Sequence, residues 1–320
     1  MINLIEQIDQ YIQDKIPRGY RDPRGFYVTH LGSCPRKVYN FWNKVTESNP
    51  SDLMSHLNFW VGDGFESALK ENAFSKMFLQ GIHLLNYQCS VGASDPRING
   101  FADYLLGIEK DDKSVEPFVV ELKTKYGWGS KKMLKEKTPN EEHIFQVGYY
   151  LKDLHDKGVT NQGCIFYLLM QDYQPTKSLV QFNCVYQPED ETVKVYEVHS
   201  TAFASESMNL TVNLGEEINT LKQVEKDIEA GKKSRCKFQH KFPVTREMLG
   251  DQSDNAIKEA VTGNKLLGDW QCSFCSYKDH CAEEEGRALF YNDEELKLLM
   301  EEHEIRKAAA KTRRATKRRK

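Results

Sequence analysis

Residues 96–126 constrain the fold more than any other part of the chain. "PRINGFADYLLGIE" (96–109) alternates and then runs apolar, as a strand does on entering a core. "FVVELKTKY" (118–126) is an apolar run that becomes charged at its end, and the turn-rich "KDDKSVEP" lies between the two. This pattern predicts a β-hairpin with one acid on each strand, Asp103 on the first and Glu121 on the second. Lys123 follows Glu121 by two residues, so on a strand both side chains share a face. Two carboxylates converging there, with the carbonyl of Leu122, supply the hard oxygen ligands that magnesium or manganese takes. A lysine beside them can act on a water or on charge developing at a phosphate. E-x-K is also a common pattern on salt-bridged, solvent-facing strands. Here it ends an apolar run, where surface acids are less expected.

Downstream, "TPNEEHIFQVGYYLKDLHDKG" (138–158) carries helix start and stop signals. Thr138 reads as the N-cap, Pro139 as the first helical residue, Glu141 as the closing member of a capping box, and Gly158 as the stop. Ile144, Val147, Leu151 and Leu154 form its apolar stripe. Gln146 and Tyr150 are four apart on another face, where an amide and a phenol can either pack together or touch a nucleic-acid strand. Between hairpin and helix, six lysines including Lys123 and Lys125 are interleaved with Tyr126 and Trp128. Cations mixed with aromatics suit a single strand, whose phosphates pair and whose bases stack. A second helix is predicted over 215–231, with Ile218, Leu221, Val224 and Ile228 buried and Gly231 at its end.

The chain has eight cysteines, and three of them, Cys272, Cys275 and Cys281, fall within ten residues as C-x2-C-x5-C. A thiolate metal site usually takes four ligands, and Cys34, in "LGSCPRK" at the opening of a predicted helix, is the candidate fourth. Four thiolates suit either structural zinc or a [4Fe–4S] cluster. The remaining cysteines read as packing or surface thiols, with Cys164 and Cys184 in strand-like runs.

Charge is distributed unevenly. Residues 306–320 hold nine of the 44 Lys and Arg residues and none of the 47 acids. A basic tail on an acidic body suits a polyanion partner reached through phosphates. No apolar run approaches the about 20 residues that a membrane helix needs. The N-terminus lacks a signal-peptide layout and reads as an amphipathic helix through Ile2, Ile5, Ile8 and Ile12. A cytoplasmic protein, cellular or virus-encoded, is the expectation.

Taken in order, these motifs resemble an iron–sulfur nuclease of the RecB-like branch of the PD-(D/E)xK superfamily. That group includes the CRISPR-associated RecB-like exonucleases and the nuclease domain of AddB. "LGSCPRK" matches the leading cysteine and Arg36, "VGDGFE" the family's G-x-x-x-H/E, "GFAD" its first core acid, "ELK" its E-x-K, and "QVGYY" its Q-x-x-x-Y. The closing C-x2-C-x5-C matches the family's cluster spacing, Tyr277 included. Where many relatives place a histidine ligand, this chain has Glu66, which still suits a hard cation.

The resemblance implies an α/β fold with a PD-(D/E)xK restriction-endonuclease-like core. Its mixed central sheet is flanked by helices, and a four-cysteine cluster joins the N- and C-terminal segments. One domain is expected over 1–305, followed by a disordered basic tail at 306–320. The implied activity is a metal-dependent deoxyribonuclease, a single-strand exonuclease. Asp103, Glu121, Leu122 and Glu66 would hold Mg or Mn, and Lys123 would assist the attacking water. Gln146, Tyr150, Arg36 and Lys125 would bind DNA. Cys34, Cys272, Cys275 and Cys281 would hold a structural [4Fe–4S] cluster. Partners would be single-stranded DNA and a helicase, recombination or CRISPR-adaptation protein, with no membrane. Two other readings use the same features: a catalytically silent iron–sulfur subunit that positions DNA for such a partner, and a zinc-stabilised nucleic-acid adaptor that relies on the tail.

The cysteine spacing sets the first test. Protein purified without oxygen is expected to be brown and to carry about four irons per chain, as a thiolate-bound [4Fe–4S] centre requires. Cys34→Ala should lose iron as fully as Cys275→Ala. Colourless protein holding one zinc would select the zinc reading.

Overall fold

The computed structural model describes residues 25–51, 53–170, 177–238, 269–284 and 293–318. The amphipathic stretch expected at 2–12 lies outside them. The chain forms two compact units, Met1–Lys44 with Asp52–Arg235, and Val45–Ser51 with Cys236–Lys320. The 45–51 segment thus groups with the C-terminal region. Within that second unit Asn49 donates from its main chain to the Ser276 carbonyl at 2.9 Å and from its side chain to the Cys275 carbonyl at 3.3 Å.

The first unit is a mixed α/β sheet flanked by helices. In chain order it contains β1 (Phe26–Tyr27), α1 (Pro35–Trp42), α2 (Leu53–Leu69), β2 (Ile82–Ser94), β3 (Arg97–Glu109), β4 (Val115–Tyr126), α3 (Gly127–Glu136) and α4 (Glu141–Asp156). β5 (Gln162–Met170), β6 (Lys177–Gln187), β7 (Thr192–Ser200), β8 (Glu206–Asn213) and α5 (Leu214–Glu229) follow. The strands lie in the order β1-β3-β4-β5-β6-β7-β8, with β2 also paired to β3. β4 and β5 are parallel, which requires a crossover, and α3 with α4 supplies it. The remaining pairs are antiparallel, except the short β1–β3 contact.

Alternation along β4 assigns its two faces. Val119 joins Ile144, Val147, Leu151 and Leu154 of α4 and Ile165 and Tyr167 of β5 in one core. Val120 and Leu122 join Tyr104, Leu106 and Cys164 in a second core, capped by Phe65 and Leu69 of α2. The expected stripe of α4 is thus buried. So are Gln146 and Tyr150, which share the helix face turned to the sheet.

Local signals explain the ends of these helices, with one correction. The N-cap of α4 is Asn140, not Thr138. Asn140 makes no side-chain cap bond, because its Oδ1 accepts from Lys125 Nζ at 2.7 Å. α5 begins at Asn213, whose side chain accepts from the Glu216 N–H at 3.0 Å. It ends before Gly231, at φ +61°, a conformation glycine adopts without penalty. The lysine-rich stretch after β4, which reads from sequence as a binding segment or a flexible connection, is helix α3.

The second unit contains α6 (Trp270–Ser273), α7 (Lys278–Glu284) and α8 (Asp293–Arg318). The segment expected as a disordered tail from 306 continues α8 to Arg318. Ion pairs Glu302–Arg306 (3.1 Å) and Glu304–Lys307 (2.9 Å) tie its acidic half to its basic half. The alanines at 308–310 favour helix, and cations toward a helix C-terminus complement its dipole. Among the described residues no helix is long and apolar enough to cross a membrane.

The contact of α4 with the sheet is tight at Gly148. A Cβ there would lie 2.3 Å from Val193 Cγ2 on β7. Gly148→Ala is expected to destabilise the protein by about 1–3 kcal/mol through overpacking, measured by urea denaturation. A loss below about 0.5 kcal/mol would mean that the helix can lift at no cost.

Candidate active site

The site forms where the sheet divides. β3 and β4 pair from Glu109↔Val115 to Tyr104↔Val120 and no further. β2 runs along one edge of β3, so β1, which pairs at Ile98 and Asn99, occupies the edge that β4 has left. β3 also changes faces at this point. Ala102 faces the α4-side core and Tyr104 the other, although side chains two apart on a regular strand share a face. The irregularity lies opposite, at Gln88, which sits between the pairs Tyr87↔Tyr104 and Cys89↔Ala102 with φ +53°. Asp103 occupies the crossover itself. One residue past the last β3–β4 pair, it turns toward β4 and accepts from the Leu122 N–H at 2.7 Å.

Glu121 is almost fully buried, at 1% exposure. Its Oε1 accepts from Lys123 Nζ, and its Oε2, also buried, has no hydrogen-bond partner. Burial pushes the Glu121 carboxyl up, against the opposing pull of Lys123 and of a hydrogen bond with Asp103. Asp103 is pushed up to about 8, first by burial and then by the charge of Glu121, with the Leu122 N–H and Lys123 pulling the other way. Two neighbouring carboxyls raised by burial, Asp103 also by the charge of Glu121, with one oxygen left unsatisfied, fit a divalent cation.

Glu66, on α2, adds its charge to both acids. Its Oε1 accepts from Gln88 Nε2 at 2.5 Å, which ties it to the kink opposite Asp103. Among the described residues no three His, Cys, Asp or Glu side chains gather as a metal set, so the acids form a pair with Glu66 outside it. Gln146 Nε2 donates to the Tyr150 hydroxyl at 2.8 Å, which leaves the phenol hydrogen available. Tyr150 lies within the field of Glu121 and Asp103, and burial holds its hydroxyl protonated, well above the ordinary range. The Gly100 backbone approaches the Tyr150 ring closely, since a Cβ there would lie 3.3 Å from it. Lys125 shares the β4 face of Glu121 and Lys123 and bonds Asn140 at the start of α4. Arg36 on α1 stands elsewhere, its Nε donating to the Ser234 carbonyl at 2.5 Å beyond the end of α5.

The cysteines divide between the units. Cys34 is the N-cap of α1 in the first. Cys272, Cys275 and Cys281 lie in the second, on or between α6 and α7, with Tyr277 buried beside them.

Sequence reasoning missed His143 and Tyr167. His143 Nδ1 lies 2.7 Å from the Tyr167 hydroxyl. Tyr167 pairs with Lys123 across β4–β5. The available signal was spacing: His143, Gln146 and Tyr150 fall at i, i+3 and i+7, one helix face.

No protein-family model matches the chain, and no curated protein matches it. Among solved structures it is similar to the crystal structure of SSO0001, at 16% identity and a TM-score of 0.40, over 88% of this chain and 96% of that one. It is also similar to an alkaline exonuclease (LHK-Exo) from Laribacter hongkongensis, at 9% identity and 0.37, over 65% of this chain and 89% of that one. Likenesses this loose carry no argument about activity.

The raised acids have a consequence for stability in chelator. Folded Asp103 keeps its proton up to about pH 8, whereas the unfolded chain releases it near the ordinary 3.8. Between those values the folded state binds more protons, so stability should fall as pH rises from about 4 to about 8. Asp103→Asn should remove its share of that slope in pH-dependent denaturation curves. An unchanged slope would place the titration elsewhere.

Proposed function

We propose that the chain is a metal-dependent DNA nuclease, a single-strand exonuclease that hydrolyses phosphodiester bonds. The observation that carries this reading is Glu121: buried, raised, paired with Asp103 at the division of the sheet, and with Oε2 unpartnered. Asp103 and Glu121, with the Leu122 carbonyl, would hold magnesium or manganese, with Glu66 in their field as a further carboxylate. When bound, such an ion supplies a water of lowered pKa and draws charge from the phosphate. Lys123 keeps Glu121 Oε1 aligned and sets an ammonium where charge grows on the phosphate. Tyr150, oriented by Gln146, offers its hydroxyl hydrogen to the strand. Lys125 contributes a further cation on the same β4 face. The separate assignment of Cys34, Cys272, Cys275 and Cys281 to a structural [4Fe–4S] cluster rests on the family resemblance, since four thiolates suit zinc as well.

The test is digestion of end-labelled single- and double-stranded DNA, with either end blocked, in magnesium or manganese. Lys123→Ala should fold and bind DNA yet cut at least about 100-fold more slowly, because its ammonium acts on charge that develops during transfer. Asp103→Ala and Glu121→Ala should also cut poorly, by loss of an oxygen ligand. Excess manganese should partly rescue the acid variants and do little for Lys123→Ala. Wild type that cuts no nucleic acid in either metal would leave the DNA-positioning subunit as the reading.

A further inference from the structure

The polar face of α4 does not end at Gln146 and Tyr150. One turn nearer the helix start, His143 shares that face, and the roles just described leave it unused. Its surroundings fix its chemistry. The Asn140 N–H donates to the Tyr167 hydroxyl oxygen at 3.3 Å. The same hydroxyl lies 2.7 Å from His143 Nδ1. In the tautomer in which Nδ1 takes the phenol hydrogen, the ring proton sits on Nε2, which becomes a donor. His143 is partly exposed, and Nδ1–Tyr167 is the one hydrogen bond of its side chain among the described residues. Burial, followed by the charges of Lys123 and Lys125, holds the imidazole well below the ordinary range, so the ring is neutral. A neutral ring within the field of two lysines is not repelled by them, and as a donor it adds direction to their charge. An anion beside Lys123 is the partner that such a group suits.

We propose that His143 is a substrate-binding residue whose Nε2–H holds a non-bridging oxygen of a DNA backbone phosphate next to Lys123 and Lys125, with Tyr167 as the positioning residue that fixes the imidazole tautomer. The assignment rests on the nucleic-acid reading above. It does not require that the site cut. It also separates His143 from proton transfer: the histidine donates a hydrogen bond and keeps its proton throughout.

The experiment is fluorescence anisotropy with a single-stranded DNA oligonucleotide in calcium, on the full chain, with melting temperature recorded for every variant. His143→Ala should weaken binding about tenfold, the value of one hydrogen bond to a charged group. His143→Gln, which keeps an amide donor, should recover most of it. Tyr167→Phe should lose a similar factor, and His143→Ala with Tyr167→Phe no more than either alone. In a series of oligonucleotides with one neutral methylphosphonate each, one linkage should weaken wild type and leave His143→Ala unaffected. The pH dependence of cutting should keep its shape in His143→Ala. Unchanged affinity in a folded His143→Ala, the absence of any such linkage, or an ionisation lost from the pH profile would each overturn the proposal. So would His143→Gln binding as poorly as His143→Ala. Wild type that binds the oligonucleotide but does not cut it would remove the nuclease reading and leave this one standing. Wild type that does not bind would remove both.

Discussion

The rest of the site depends on two carboxyls held side by side, Glu121 buried and Asp103 partly so. Burying one carboxylate is costly, and burying a second beside it is costlier, unless a proton or a cation compensates. Here the sheet makes the pairing unavoidable. β4 leaves β3 after Tyr104↔Val120, and the side chain of Asp103 bonds to the main chain of β4, to the Leu122 N–H, instead. Glu121 sits on the neighbouring strand with one oxygen bonded to Lys123 and the other unpartnered. The fold that positions these groups therefore keeps a proton on Asp103 up to about pH 8, and a bound cation would take the place of that proton.

Hydrophobic packing holds that arrangement rigid. α4 presses Ile144, Val147, Leu151 and Leu154 against β4 and β5, and its close contact at Gly148 leaves little room to shift. Because a helix repeats every 3.6 residues, the same contact sets His143, Gln146 and Tyr150 in one polar row, with Tyr150 in the field of Glu121 and His143 in that of Lys123. On the opposite face α2 packs Phe65 and Leu69 on Tyr104 and Leu122, and so brings Glu66 to Gln88 at the kink. Each functional side chain is thus placed by an apolar neighbour on the same element.

Much of the first unit was legible before any coordinates. The strands of the hairpin, the stripe of α4, and the helix 214–229 with Gly231 at its end follow from periodicity and punctuation, which are local properties. The helix starts at Asn140 and not at Thr138, and the Asn140 side chain is taken up by Lys125 on β4, a pairing that the local sequence does not contain. The expected disordered tail became the end of α8 because its first cations have acids three and four residues upstream, pairs that a composition count does not register. Tyr167 carried no signal, since an aromatic inside an apolar strand reads as core until a histidine is set over its hydroxyl.

By itself, the sequence determined which residue types could do chemistry and which elements carry them. An acid on each of two strands, a lysine two residues on, and an amide and a phenol four apart are statements about periods of 2 and 3.6. Only the tertiary structure decided that β3 and β4 diverge immediately beside Asp103 and that the strand changes faces there. It alone left Glu121 Oε2 without a partner and put Tyr167 beneath His143. Those outcomes depend on a kink at Gln88 and on strand pairing across long stretches of chain, and no window of neighbouring residues contains either.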